Sequence, residues 1–294
     1  MALTKMSSKY AIVTGGNAGL GLETAKALCG LGYHVTISAR SEEKANEALS
    51  LIRAGNPSAA ISFIAMELKD LTSVKQFADE YVRRGWPLHV LVNNAGIMNT
   101  PFEITSDGFE AQFQVNHLGH FLLTHYLLPV IVRSGGGRVV SLSSRAHMRW
   151  SRPLEMGEVR STNPSTYDGW EAYGRSKLAN ILFVRSLARK FPFAGSGSVT
   201  FNAVHPGLVD TKLLNVAAGL RSQAIPVEEG VQTTLYLCTS KEVQGVSGKY
   251  FQDCQEATAP SQVSSWAQSD FEAEKLWQAS LDFVGISDAD YGHA

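Results

Sequence analysis

Short β-branched apolar runs alternate with longer stretches of helical periodicity along most of the chain. Tyr10–Thr14, His34–Ser38, Ala60–Met66, His89–Asn93, Arg138–Leu142, Ser198–Val204 and Lys249–Phe251 have the length and residue types of strands. They are rich in Val and Ile and lack strict apolar–polar alternation, as parallel strands buried on both faces do. Between them Leu20–Leu31, Thr72–Arg84, Gly108–Arg133, Glu171–Lys190 and Val227–Ser240 read as helices. The alternation predicts an α/β, doubly wound fold, with a central parallel sheet of about seven strands and helices on both faces.

No repeat or low-complexity linker breaks the pattern, and Gly135–Gly137 and Ala194–Ser198 are loop-sized, so residues 1–294 are expected to form a single domain. Two segments stand apart. Arg145–Trp170 mixes Pro153, Gly157, Pro164 and Gly169 with Met148, Trp150, Met156 and Trp170, apolar residues that suit either core or a lipophilic roof. Gln255–Ala294 carries an amphipathic helix around Trp266–Phe283 and a polar end, 285–294, expected to fray.

The chain is 44% hydrophobic and 18% charged, ordinary for a globular protein with a sizeable core. A net charge of -1 leaves no footprint for nucleic acid or an anionic membrane. Cys29, Cys238 and Cys254 are far apart, which argues against a disulfide framework or cysteine metal site and suits a reducing compartment. MALTKMSSK is too short for a leader or anchor, and no uninterrupted apolar run of membrane-spanning length follows, so the expected location is cytoplasmic. His117, His120 and His125 share a helix but not one face, and no acid completes a ligand set, so no metal is expected.

Thr14–Gly21 follows the first strand and opens the first helix with the spacing TGxxxGxG. Glycines permit a tight turn there, and a helix N-terminus presents free N–H groups to a pyrophosphate. The backbone from Gly15 through Asn17, Ala18, Gly19, Leu20 and Gly21 is the expected phosphate cradle. The second strand ends Ser38-Ala39-Arg40-Ser41, with no acid until Glu42. An acid would bind the ribose of NAD, whereas Arg40 suits a 2′-phosphate, so NADP(H) is favoured over NAD(H). Tyr173 and Lys177 lie four apart in a helical run, on one face, where an ammonium is expected to lower the phenol pKa and suit it to proton transfer.

TGxxxGxG at 14–21, Asn93-Asn94-Ala95-Gly96, Tyr173-xxx-Lys177 and Pro206-Gly207 with Thr211 stand in the order found in the short-chain dehydrogenase/reductase family, which the chain resembles over roughly residues 8–255. FQVNHLGHFLLT (Phe113–Thr124), SLSSRAH (Ser141–His147), AYGRSKLANILF and VHPGLVDT are similar to the branch that holds retinol dehydrogenases and the WW-domain oxidoreductase. The resemblance implies a Rossmann fold and a site. Tyr173 is then general acid or base, Lys177 holds the nicotinamide ribose, and Ser144 polarises the substrate oxygen, with Ser143 as the alternative. Asn116 holds a water in a proton relay. Asn93, Ala95 and Gly96 line the adenosine ribose and the central sheet, and Glu67 or the Leu68 main chain meets adenine. Pro206 and Gly207 turn beneath the nicotinamide, and Val209 and Thr211 contact its carboxamide.

Loops 145–172 and 208–226 are expected to shape the substrate cleft. The implied function is NADPH-dependent reduction of a lipophilic or aromatic aldehyde or ketone, reversible with the alcohol, in a possible homodimer or homotetramer paired through the helices at 108–133 and 171–190. Alternatives are a C=C reductase of the protochlorophyllide type, whose active-site cysteines have no counterpart at 145–172, and an NADP-binding sensor without turnover.

Overall fold

Eight strands form one sheet in the computed structural model of the protein, which describes residues 9–161 and 163–292. The expectation about a leader falls on residues 1–8, outside the described residues. β1 (Tyr10–Val13), β2 (His34–Ala39), β3 (Ile61–Ala65), β4 (Val90–Asn93), β5 (Gly137–Leu142), β6 (Val199–His205), β7 (Lys249–Gln252) and β8 (Gln255–Glu256) run in the order β3-β2-β1-β4-β5-β6-β7-β8. All pairings are parallel except β7–β8. The seven expected strands are present. The eighth is a two-residue antiparallel edge made by a turn at Asp253 and Cys254, both at positive φ, and is too short to show a period. Strand order reverses between β1 and β4, and ligands bind outside the carboxyl ends of strands at such a switch point.

The longer helices are α1 (Gly19–Gly30), α2 (Glu42–Gly55), α3 (Leu71–Arg83), α4 (Ala111–Arg133), α5 (Gly169–Lys190), α6 (Gln232–Thr239) and α7 (Asp270–Val284). Side-chain oxygens of Ser41, Asp70, Asp168 and Ser269 cap α2, α3, α5 and α7 by accepting first-turn N–H groups. One face of the sheet packs on α3, α4, α5 and α7, the other on α1, α2 and α6.

Two expectations change. The apolar stretch of α4 is long enough to cross a membrane by length and composition, contrary to the sequence reading, and 89% of it is buried inside the fold. The end expected to fray is docked as far as it is described. Tyr291 is fully buried, donates its hydroxyl to Phe121 O at 2.7 Å and packs on Phe121 and Trp277. Gly292 N donates to His125 Nδ1 at 3.1 Å, and Trp277 Nε1 donates to Asp288 at 2.6 Å. Residues 293–294 lie outside the described residues. α7 and this tail thus lie over α4 and α5, the helices that the resemblance offered for subunit pairing.

Candidate active site

Two clefts open at the carboxyl edge of the sheet and meet at Tyr173. The first, about 440 Å³, runs from the β1–α1 loop past β2 and β4. Gly15, Asn17, Ala18, Gly19, Leu20, Gly21, Arg40, Glu67, Leu68, Ala95, Gly96, Tyr173, Lys177, Pro206 and Thr211, all candidates from the sequence, line it. The second, about 600 Å³, holds Ser144, Gly207 and Val209, with Met98, Met148, Trp170, Leu208, Leu213 and Leu214 as its apolar wall. Met148 and Trp170 therefore belong to the roof, whereas Trp150 and Met156 belong to the core.

Asn93 is a correction as to the ribose: it braces the central sheet and does not line the cleft. It is the last residue of β4 and is buried beneath the sheet, where its Nδ2 donates to Thr124 and Ser141. Neighbouring Asn94 lines the first cleft instead, and its Nδ2 donates to Thr14 O at 2.7 Å. Successive strand residues face opposite ways, so a one-residue choice decides which amide sees the cleft.

The first cleft suits an extended anionic dinucleotide. The N-terminus of α1 has no side-chain cap and no acid in its first turn, so its N–H groups are free for an anion. Arg40 is largely exposed, and its nearest acid is Glu67 at 3.8 Å. A Cβ on Gly96 would lie 3.1 Å from Asn116 Oδ1 and 3.5 Å from Lys177 Nζ, filling space beside both. These residues fit a nicotinamide dinucleotide: the α1 loop would hold its phosphates, and Lys177 would hold a ribose beside Tyr173.

Tyr173 and Lys177 face each other on α5 with Nζ 5.6 Å from the ring centre. The expected lowering of the phenol does not appear. Burial pushes Tyr173 up to about 12, opposed by a hydrogen bond from Ser144. Burial also lowers Lys177, to about 8, because the charged form loses solvent. Nζ donates to Leu142 O at 3.0 Å, a carbonyl that also accepts from Asn180 at 2.9 Å.

Ser144 reaches the phenol because it starts the short turn Arg145–Arg149, its Oγ accepting from Ala146 N. That turn packs on α5 at Gly174, where a Cβ would come within 2.7 Å of Ala146 O. Ser143 is turned the other way and donates to Lys177 O at 2.7 Å. His147 fixes the turn from behind, with Nδ1 2.7 Å from Ser144 O and Nε2 accepting from Ser264 N at 3.2 Å.

Asn116 sits in a π-turn, Gln114–Leu118, within α4, a wider turn of the kind often found at functional sites. Its Oδ1 accepts from Ile97 N at 2.8 Å, and its Nδ2 donates to Ile97 O at 2.9 Å and Ser176 Oγ at 2.8 Å. The amide is thus mainly a brace, with one lone pair of Oδ1 left for a water. His120 links this turn to the phosphate loop. Its Nδ1 donates to Asn116 O at 3.1 Å, so Nε2 accepts from Thr14 Oγ1 at 2.9 Å, and Thr14 in turn accepts from Asn94 N and Ala95 N. Burial lowers His120 to about 4 and keeps it neutral.

His120, Ser176 and Gly174 were not expected at the site. Their sequence signal is that of helix and loop residues in general. His117 and His125 point elsewhere, to Ser280 and Gly292, and no metal-ligand cluster occurs among the described residues.

Residues 9–152 match a family profile described as short chain dehydrogenase. The chain is 38% identical over 288 residues to the chloroplastic short-chain dehydrogenase TIC 32 B of Brassica napus, covering 93% of this chain and 88% of that one. It is 38% identical over 292 residues to retinol dehydrogenase 12 of Mus musculus, covering 96% and 88%. An uncharacterised protein of Mycobacterium paratuberculosis shares the structure at a TM-score of 0.75 and 32% identity, over 95% of this chain and 94% of that one. A short chain dehydrogenase of Shigella flexneri 2a complexed with NADP has a TM-score of 0.67 at 21% identity, over 83% and 95%, a likeness of fold alone.

Proposed function

The chain belongs to the short-chain dehydrogenase family and is an NAD(P)-dependent oxidoreductase acting on CH–OH or C=O groups; from that premise we propose that it is an NADPH-dependent reductase of lipophilic or aromatic aldehydes and ketones, reversible with the matching alcohols. The observation that carries this reading is Tyr173 at the junction of the two clefts, with Ser144 beside it.

When bound, the nicotinamide supplies hydride to the carbonyl carbon. Ser144 donates a hydrogen bond to the substrate oxygen, and Tyr173 gives that oxygen a proton as charge develops on it. A phenol held at about 12 is protonated at neutral pH, which suits the reductive direction. Lys177 holds the ribose, and Asn116 keeps the Ile97 segment and the Tyr173 turn of α5 in register through Ser176. Val209 and Thr211 meet the carboxamide, and Glu67 and Leu68 meet adenine.

Arg40 supports NADP(H) over NAD(H), because its exposed guanidinium suits a 2′-phosphate. The apolar wall of the second cleft supports a lipophilic substrate, in keeping with the names of the retinol dehydrogenase relatives. A cytoplasmic location is proposed from the three free cysteines, which suit a reducing compartment. The test is NADPH oxidation against a panel of aldehydes, ketones and quinones. Turnover of apolar aldehydes or ketones is expected. Tight NADPH binding with no carbonyl reduced faster than by Tyr173→Phe would turn the reading toward a cofactor sensor.

A further inference from the structure

The substrate cleft has a polar corner that proton transfer at Tyr173 does not use. Arg145, His205 and Gln252 line it together with Tyr173. Arg145 is exposed and makes no ion pair within 4 Å among the described residues. His205, at the end of β6, is 9% exposed, and its Nδ1 has no partner. The Tyr250 hydroxyl behind them is also buried without a partner, and it lies in the fields of both Tyr173 and Arg145. Buried polar atoms are normally paired, and each one left unpaired costs about 1–3 kcal/mol. These unpaired groups pack behind the lining, and Arg145, His205 and Gln252 in front of them, with Arg149 also on the wall, make a place for a polar ligand group.

The chemistry of the corner narrows that group. A guanidinium matches a carboxylate in a bidentate fork. His205 is neutral, held near 4 by burial and by Arg145, so its ring can donate one N–H without adding charge. Asp253 is the carboxylate that acts on His205, and it is hydrogen-bonded by Gln252 Nε2 at 3.1 Å. Gln252 Oε1 is buried and unpartnered, and Asp253 carries a negative charge; both repel an anion, so a carboxylate is drawn to the Arg145 side of the corner.

We infer that the substrate is an oxo acid: a lipophilic aldehyde or ketone whose other end carries a carboxylate, held by Arg145 and His205 while the carbonyl meets Ser144 and Tyr173. This rests on the reductase reading above, and two measurements separate them. The first compares 4-formylbenzoate, 4-formylphenylacetate and 4-formylcinnamate with their methyl esters. At least one acid is expected to exceed its ester more than tenfold in kcat/KM, mostly through KM, and Arg145→Gln should bring that ratio to within about threefold of unity. The second needs no turnover. Calorimetric titration of the NADP-loaded protein with 3-phenylpropionate and 3-phenylpropionamide should show the acid binding more than tenfold tighter, with the advantage lost in Arg145→Gln. Acid preference in the titration with no aldehyde reduced would remove the reductase reading and keep the corner. Equal binding of acid and amide, no binding of either, or an acid preference that survives Arg145→Gln would overturn the inference.

Discussion

The Ser143 hydroxyl donates to the main-chain carbonyl of Lys177 at 2.7 Å, inside the fold, while the residue itself borders both clefts. That bond assigns the two adjacent serines different work, since Ser144 is the one that meets the phenol. Ser143→Ala should cost about 1 kcal/mol of stability, the worth of one buried hydrogen bond, and change kcat by less than about fivefold. Ser144→Ala should cost up to about 1 kcal/mol through the lost bond from Ala146 N, and lower kcat about 10²-fold. Thermal melts and steady-state kinetics on both variants check the assignment, and the opposite pattern would exchange their roles.

Lys177 is held against its own charge. Its folded pKa of about 8 lies below the unfolded 10.5, so between those values the unfolded chain binds more protons and stability rises with pH. Below pH 8 the full penalty of burying an ammonium is present. Lys177→Met removes that penalty, and Leu142 O keeps its bond from Asn180. The variant should be inactive and more stable than the parent at pH 7, by about 1–3 kcal/mol. The gap should narrow as pH rises from 8 toward 10.5, as denaturant melts at pH 7 and 9.5 would show. A less stable variant at pH 7 would mean that the lysine sits in a better-solvated place than its burial indicates.

On the proposed preference for NADP(H), Arg40 and Glu67 act together. The arginine attracts a 2′-phosphate, and the carboxylate 3.8 Å away competes for it. Arg40→Asp should lower the NADPH/NADH ratio of kcat/KM about 10–100-fold, the worth of a charge-assisted hydrogen bond. Glu67→Gln should raise the ratio a few-fold. An unchanged preference in Arg40→Asp would remove Arg40 from the site.

The C-terminal tail is an anchor. Tyr291→Ala should destabilise the protein by about 3–5 kcal/mol, as truncation of a buried aromatic does, and Tyr291→Phe by about 1 kcal/mol through the lost bond to Phe121 O. Because α7 and the tail already cover α4 and α5, the parent protein should sediment as a monomer of 31.9 kDa, and truncation after Val284 should make it self-associate. A stable dimer of the full chain would place the interface elsewhere.

What was legible in the sequence follows from period and order. Strands such as Val90–Asn93 announce themselves through β-branched runs, and Thr14–Gly21 through its place between strand and helix. What was not legible depends on burial and on one-residue geometry. Tyr173 beside Lys177 is a matter of spacing, but the direction of the phenol pKa is set by solvent loss, which the spacing does not carry. Asn93 and Asn94 are the same residue type on opposite sides of a strand end. The π-turn at Gln114–Leu118 uses ordinary helix residues, and Tyr291 is hidden in a polar run. Arg175 is buried and paired with buried Glu110 at 3.4 Å, a contact between residues far apart in the chain that spacing does not reveal.

The central claim is that Tyr173 gives a proton to a carbonyl oxygen as hydride arrives at its carbon. A single-turnover experiment with NADPH deuterated at the transferred position, and an aldehyde found in the panel, tests it most directly. The parent protein should place deuterium on the carbinol carbon. Tyr173→Phe should bind NADPH as tightly and transfer the label about 10²–10⁴-fold more slowly, the usual worth of a positioned general acid. Transfer at the parent rate in Tyr173→Phe, or an alcohol product without deuterium at that carbon, would contradict the account.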